Sequence, residues 1–297
     1  MHKHNFTSPL RYPGGKGMLT NFAKLIISTN GLNNGHYVEI YAGGASIAWS
    51  LLFDRYVKHV HINDISKFIY AFWKSVLEDT ENLCKLIHDT SVTIEERTRQ
   101  KIVQQNPNQF STLDLGFSTF FLNRTNRAGI LGAGVIGGKK QSGKWKLDVR
   151  FNKPDLIARI ERIAQHSAKV SLYNEDASAF IQNHLLQIPQ NSFVYLDPPY
   201  YAKGNSLYEN YYSHEDHVVI EGLVSKVTQP WMVSYDNVDP ISELYKKYKS
   251  IEYKLSYSVN NRYAGSEIIF FSNNLLLPLA KDPSRVKIDK VFTPILL

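Results

Sequence analysis

Residues 36–64 read HYVEIYAGGASIAWSLLFDRYVKHVHIND. Residues 37–41 are a short β-rich run that ends at Gly43-Gly44. Residues 45–53 carry apolar side chains at helical spacing. Residues 58–62 are a second β-like run and stop at Asn63-Asp64. Strand, glycine turn, helix, strand, acid is the opening unit of a parallel α/β sheet.

The same rhythm continues on both sides. A helix-like stretch at 18–28 precedes the unit, and a further strand at 170–173 runs into Asn174-Glu175-Asp176. Residues 177–186 follow with helical spacing. Residues 192–196, SFVYL, read as a strand that ends at Asp197-Pro198-Pro199-Tyr200, and strands are expected at 231–234 and 268–272. The middle differs. Residues 67–105 look helical, whereas 117–150 are rich in Gly, Lys and Arg, a composition that suits exposed loops. A helix at 154–166 leads back out. The simplest organisation is one α/β domain built from residues 1–67 and 167–297, interrupted at 68–166 by a mainly helical and loop subdomain.

The chain has 297 residues, 43% hydrophobic and 21% charged, enough for a core that needs no disulfide or metal staple. Its one cysteine, Cys84, excludes an internal disulfide and a multi-Cys zinc site and suits a reducing compartment. The start, MHKHNFTSPLRY, has no apolar signal core, and runs such as Leu275-Leu276-Leu277 fall far short of the ~18 residues of a membrane span. No membrane partner is expected. Lys plus Arg is 34 against 27 Asp plus Glu, a net charge of +7, which hints at a polyanionic partner with nucleic acid first.

Asp197-Pro198-Pro199-Tyr200 is the sharpest motif. Ligand sites in open α/β sheets lie off the carboxyl ends of strands. Two prolines stiffen the turn and remove two backbone donors, so the carbonyls of Asp197 and Pro198 are held ready as acceptors. The Asp197 carboxylate adds another acceptor, and Tyr200 adds a flat ring. Acceptors beside a platform suit the exocyclic amine of a planar base. In Glu39-Ile40-Tyr41-Ala42-Gly43-Gly44, the glycines let backbone approach a ligand closely. Asp64 lies 21 residues past Gly43, where an acid can accept from a ribose. Arg11-Tyr12-Pro13-Gly14-Gly15-Lys16-Gly17 is not a phosphate loop, since Leu10 and Gly17 stand where Gly and Ser/Thr are required.

Together and in this order, RYPGGKG, VEIYAGGAS, NDIS, FFLNRTNRAGI, NEDAS and YLDPPY resemble the D12 class, alpha arrangement, of DNA adenine-N6 methyltransferases. The resemblance spans about residues 8–272. It implies a Rossmann-like sheet that uses S-adenosylmethionine, and a target-recognition insertion. It implies that Tyr12, Lys16, Glu39, Gly43, Asp64, Asp176 and Asp197 surround the cofactor. Tyr12 stands where relatives often have Trp and keeps an aromatic ring. It further implies that Asp197, Pro198, Pro199 and Tyr200 hold an adenine flipped from duplex DNA. The amine is itself the nucleophile, so transfer is direct, with no metal. Cytosine carbon-5 methylation would need a Cys nucleophile, and Cys84 lacks that context.

For the insertion, Asn123, Arg124, Asn126 and Arg127 are expected at DNA bases or phosphates, with Lys139, Lys140, Lys144 and Lys146 on the backbone. Tyr201, Lys203, Tyr208, Tyr211 and Tyr212 form a loop that could close over the base. His214 and His217 read as exposed residues at a helix start rather than metal ligands. A monomer in a bacterial or phage-infected cytosol is expected. Cytosine-N4 or RNA adenine-N6 methylation, or an inactive nucleic-acid-binding relative, are the alternatives.

Overall fold

The computed structural model describes residues 7–11, 16–202, 212–256 and 264–288. The strands are β1 (Gly35–Glu39), β2 (Val57–Asn63), β3 (Val170–Tyr173), β4 (Ser192–Leu196), β5 (Trp231–Asp236), β6 (Lys249–Ser256) and β7 (Ala264–Phe271). They form one sheet in the order β3-β2-β1-β4-β5-β7-β6. All neighbours are parallel except those of β7, which runs antiparallel to both β5 and β6. Strand β4 is buried along its whole length, as expected of a central parallel strand covered on both faces. The strand order reverses between β1 and β4, which makes their carboxyl ends the switch point where ligands bind in such sheets.

Helices cover both faces. On one face, α1 (Thr20–Thr29) and α2 (Ser46–Phe53) pack with α3 (Lys67–Glu78) on a core that includes Tyr37, Ile62, Trp49 and Trp73. On the other, α8 (Ala177–Asn183), α9 (His214–Val224) and α10 (Asp239–Leu244) pack on Val38, Val194 and Val233. Residues 68–166 add α4 (Thr80–Asp89), α5 (Ile94–Gln105), α6 (Thr112–Thr125) and α7 (Lys153–Ala164) to most of α3. Their apolar side chains join the core of the first face. Phe72 stacks on Phe120 at 5.9 Å, and Trp49 meets Trp73 at 5.0 Å.

Helix α6 departs from the exposed loop expected of 117–150. Its start carries a Ser111–Asp114 capping box. Phe117, Phe120 and Phe121 are buried. The polar residues between them are tolerated because each hydroxyl is satisfied. Ser118 donates to the Gln100 carbonyl at 2.7 Å, and Thr119 and Thr125 donate to Leu115 and Phe121 at 2.7 and 2.8 Å. The loop character begins only after Asn126. His217 is likewise buried rather than exposed, because it lies on the inner face of α9, 3.1 Å from the Tyr235 hydroxyl. Among the described residues no helix is long and apolar enough to cross a membrane.

Candidate active site

The carboxyl ends of β1 and β4 open onto a cavity of about 720 Å³. The turn after β1 supplies one wall. Gly43 has φ +46°, a conformation that favours glycine, and its N–H donates to Asp64 Oδ2 at 2.8 Å. Asp64 Oδ1 accepts from the Ser66 N–H at 2.9 Å. Burial pushes the Asp64 carboxyl up to about 6, against the pull of these two backbone donors. The Gly43 carbonyl accepts from the Trp73 indole at 2.9 Å, which ties the turn to α3. Glu39 closes the inner end. Its Oε2 accepts from the Ala48 N–H at 3.3 Å, yet burial pushes it up to about 8. Most of this carboxyl is therefore protonated at neutral pH.

Asn63 and Asn174 lock the NDIS and NEDAS segments together. Asn63 Nδ2 donates to the Ile40 and Glu175 carbonyls, and Asn174 Nδ2 donates to the Asp64 carbonyl at 2.7 Å. Glu175 and Ala177 line the cavity. Asp176, between them, is exposed and caps α8 through Oδ1 and the Ser178 N–H at 2.8 Å.

Asp197 and Pro199 line the opposite end. Ser234 donates to Asp197 Oδ1 at 2.7 Å, and the Lys16 ammonium lies 3.5 Å from the same oxygen. Both contacts fall on Oδ1, which leaves Oδ2 as the second acceptor. Burial pushes Asp197 up to about 6, Lys16 opposes this, and Glu267 adds to it. Pro198 is buried. Tyr200 is buried and does not line the cavity. Lys16 lies 4.9 Å over its ring, and its hydroxyl donates to Glu267.

Lys16 opens a short 3₁₀ turn (Lys16–Leu19) and is 6% exposed. It donates to both Glu267 oxygens at 2.8 Å and to the Tyr200 hydroxyl at 3.0 Å. Burial opposes its charge, but Asp197, Tyr253 and Glu267 outweigh that and shift it upward. Glu267, Tyr253 and Ser234 belong to the site and carry no motif in the sequence. Tyr12 lies outside the described residues, as do Lys203, Tyr208 and Tyr211. Tyr212 is described. It lines the cavity, and its hydroxyl is 3.1 Å from that of Tyr41.

The NRTNR segment divides into an inner and an outer part. Asn123 grips the first motif, accepting from the Arg11 N–H at 2.8 Å and donating to the Arg11 carbonyl at 2.6 Å. Gly129 (φ +80°) backs this contact, since a Cβ there would lie 2.5 Å from the Arg11 carbonyl oxygen. Arg124 donates to the Arg150 and Pro9 carbonyls, and burial lowers it to about 9. Asn126 donates to the Ile130 and Leu131 carbonyls and accepts from Arg97 at 2.7 Å. These three side chains spend their polar atoms inside the chain, whereas Arg127, Lys139 and Lys140 are exposed. Replacing Asn123 with Ala is expected to cost roughly 1–3 kcal/mol, because the part-buried Arg11 peptide loses both its bonds to this amide. A melting curve checks this, and an unchanged Tm would refute the grip.

No curated protein matches the chain. The family model for D12 class N6 adenine-specific DNA methyltransferases matches residues 12–259, most of the sequence. The sheet and its switch-point cavity agree with the Rossmann-like fold of S-adenosylmethionine-dependent methyltransferases. The chain belongs to the D12 class and is an S-adenosylmethionine-dependent DNA adenine methyltransferase.

Proposed function

We propose that the cavity takes S-adenosylmethionine along β1 and β2 and a flipped adenine at β4, and that methyl transfer to N6 is direct. The supporting observation is that Glu39 and Asp64 on one side, and Asp197 on the other, line one continuous cavity. Its volume suits a nucleoside-sized ligand beside a base. Asp64 is suited to the ribose hydroxyls and Glu39 to the ammonium of the methionine moiety. The apolar Ile65 and Phe68 flank the space between. Gly43 shapes the turn, and Lys16 and Asp176 bound the two ends of the site.

S-adenosylmethionine, when bound, supplies the electrophilic methyl group. Asp197 Oδ2 and the Pro198 carbonyl accept the two N6 hydrogens, which aims the nitrogen lone pair at that methyl. As the N–C bond would form, the sulfonium S–CH3 bond would break with its electron pair left on a neutral thioether, and the nitrogen would shed one proton, which Asp197 is held near the right range to take. Pro199 stiffens the turn. Tyr200 is set back from the cavity, its hydroxyl held by Lys16 and Glu267, so it stacks on the adenine once the entering base displaces the turn beside it. Cys84 packs against the core and burial pushes its thiol up to about 11, which suits no nucleophile. The enzyme works as a monomer in the cytosol of a bacterial or phage-infected cell.

Duplex DNA approaches along Arg127, Lys139 and Lys140, on the loop whose residues 129–133 rim the cavity. Asn123, Arg124 and Asn126 serve recognition by holding that loop. Alanine at Arg127, Lys139 or Lys140 should weaken duplex binding and reduce the salt slope by about 1 for each lost phosphate contact. An unchanged slope in all three would remove them from the interface. The function is tested by incubating duplex DNA and, in parallel, structured RNA with methyl-labelled S-adenosylmethionine and digesting each to nucleosides. Label in N6-methyladenine supports the reading. Label in N4-methylcytosine alone, or in structured RNA alone, overturns it.

A further inference from the structure

Glu267 stands in the middle of β7, 1% exposed, with no place in the motifs that mark the family. A buried carboxylate is costly unless donors surround it. Here Lys16 reaches both oxygens at 2.8 Å, Tyr200 donates to Oε1, and Tyr253 from β6 donates to Oε2. Three of these groups come from distant parts of the chain. Lys16 belongs to the first motif, Tyr200 to Asp-Pro-Pro-Tyr, and Glu267 to the antiparallel strand between β5 and β6. The cluster also fixes where the lysine charge goes. Lys16 lies 3.5 Å from Asp197 but directs its hydrogens to Glu267 and Tyr200.

We propose that Glu267 is a positioning residue for methyl transfer, which draws Lys16 toward itself so that its ion pair with Asp197 stays long, and which anchors the Tyr200 hydroxyl. This rests on the roles given above to Asp197 and Tyr200. The physical consequence is specific. Without the Glu267 charge, Lys16 is free to tighten its 3.5 Å ion pair with Asp197 into a short, fully committed one. That pair stabilises the ionised carboxylate and engages its lone pairs, so Asp197 becomes a weaker acceptor for the adenine amine. Glu267 also raises Asp197 directly by like-charge repulsion. Both effects have the same sign, so losing Glu267 lowers the pH at which Asp197 titrates.

The test compares Glu267→Gln and Glu267→Asp with the wild-type protein. The first measurement is a carboxyl-carbon NMR titration of Asp197 in the free protein, which needs no substrate. The second is kcat against pH on duplex DNA. For Glu267→Gln the Asp197 titration and the acid limb of kcat should both move to lower pH, with kcat at the optimum at least ~10-fold lower. Glu267→Asp keeps the charge but draws it back by one methylene. Its acid limb should stay in place while kcat falls several-fold. A Glu267→Gln protein with an unshifted Asp197 titration overturns the proposal even if kcat drops, because a merely structural loss leaves that titration alone. Should Glu267→Gln fail to fold, a Glu267→Asp protein with wild-type kcat overturns it. Absence of transfer by the wild-type protein would instead contradict the roles of Asp197 and Tyr200, and the titration would still be readable.

Discussion

Replacing Asp197 with Ala is expected to lower the single-turnover rate by roughly 10²–10³-fold, the usual cost of removing one preorganised group from a developing charge. Two losses combine. The adenine amine loses its carboxylate acceptor, and the nitrogen loses the group poised to take its proton. Lys16 keeps Glu267 as a partner, so the variant should fold. Asp197→Asn retains one acceptor oxygen but turns an N–H₂ toward Ser234 or the substrate, and should fall by a similar factor. DNA affinity should change little, because the basic loop proposed to meet the phosphates is untouched. Rapid-quench assays with excess enzyme read the chemical step directly. A rate within about threefold of wild type in both variants would remove Asp197 from the reaction.

Glu39→Gln is expected to weaken S-adenosylmethionine binding by roughly 100-fold, as expected when a desolvated ion pair loses one partner. In the free protein Glu39 is pushed up to about 8 by burial, so below that pH it must release a proton to receive the ligand ammonium. Affinity of the wild-type protein should therefore rise with pH toward about 8 and fall above it, where the ligand's own ammonium loses its proton. The Gln variant should lose this rise. The stability effect has the opposite direction. A carboxyl raised on folding favours the folded state at pH below its unfolded value, and that contribution is lost as pH rises toward 8. Gln carries no such penalty, so the variant should melt about 2–4 °C higher at pH 8 for each kcal/mol recovered. Calorimetry at several pH values checks both. Equal affinities, or a wild-type affinity flat from pH 6 to 8, would place Glu39 outside the ligand's reach.

Local patterns made the central sheet readable. Residues 170–173 and 192–196 are apolar runs bounded by turn-formers, and β3 and β4 occupy those positions. The glycine turn and the Asp197 motif were visible because both sit where strands end. The misreading of 117–125 has a clear cause. Glycine and arginine signal loops in isolation, but helix α6 is sandwiched between α3 and α5 and satisfies its hydroxyls on nearby carbonyls. Asn123 and Asn126 carry the same lesson. Amide side chains beside a basic loop suggest base contacts, yet these grip main-chain groups of Arg11, Ile130 and Leu131. Strand β6 was not read from the sequence, since its pairing is made wholly with β7. Glu267 is one acid in an apolar strand, and partners remote in sequence, Lys16 251 residues away and Tyr200 67 away, give it meaning.

The most direct measurement is base-resolved sequencing of modifications in DNA from cells that express the protein or its Asp197→Ala variant. The expected result is N6-methyladenine in one defined sequence context with the wild-type protein and a sharply reduced level at the same sites with the variant. N4-methylcytosine as the sole mark, or the same N6-methyladenine level at those sites from both proteins, would contradict it.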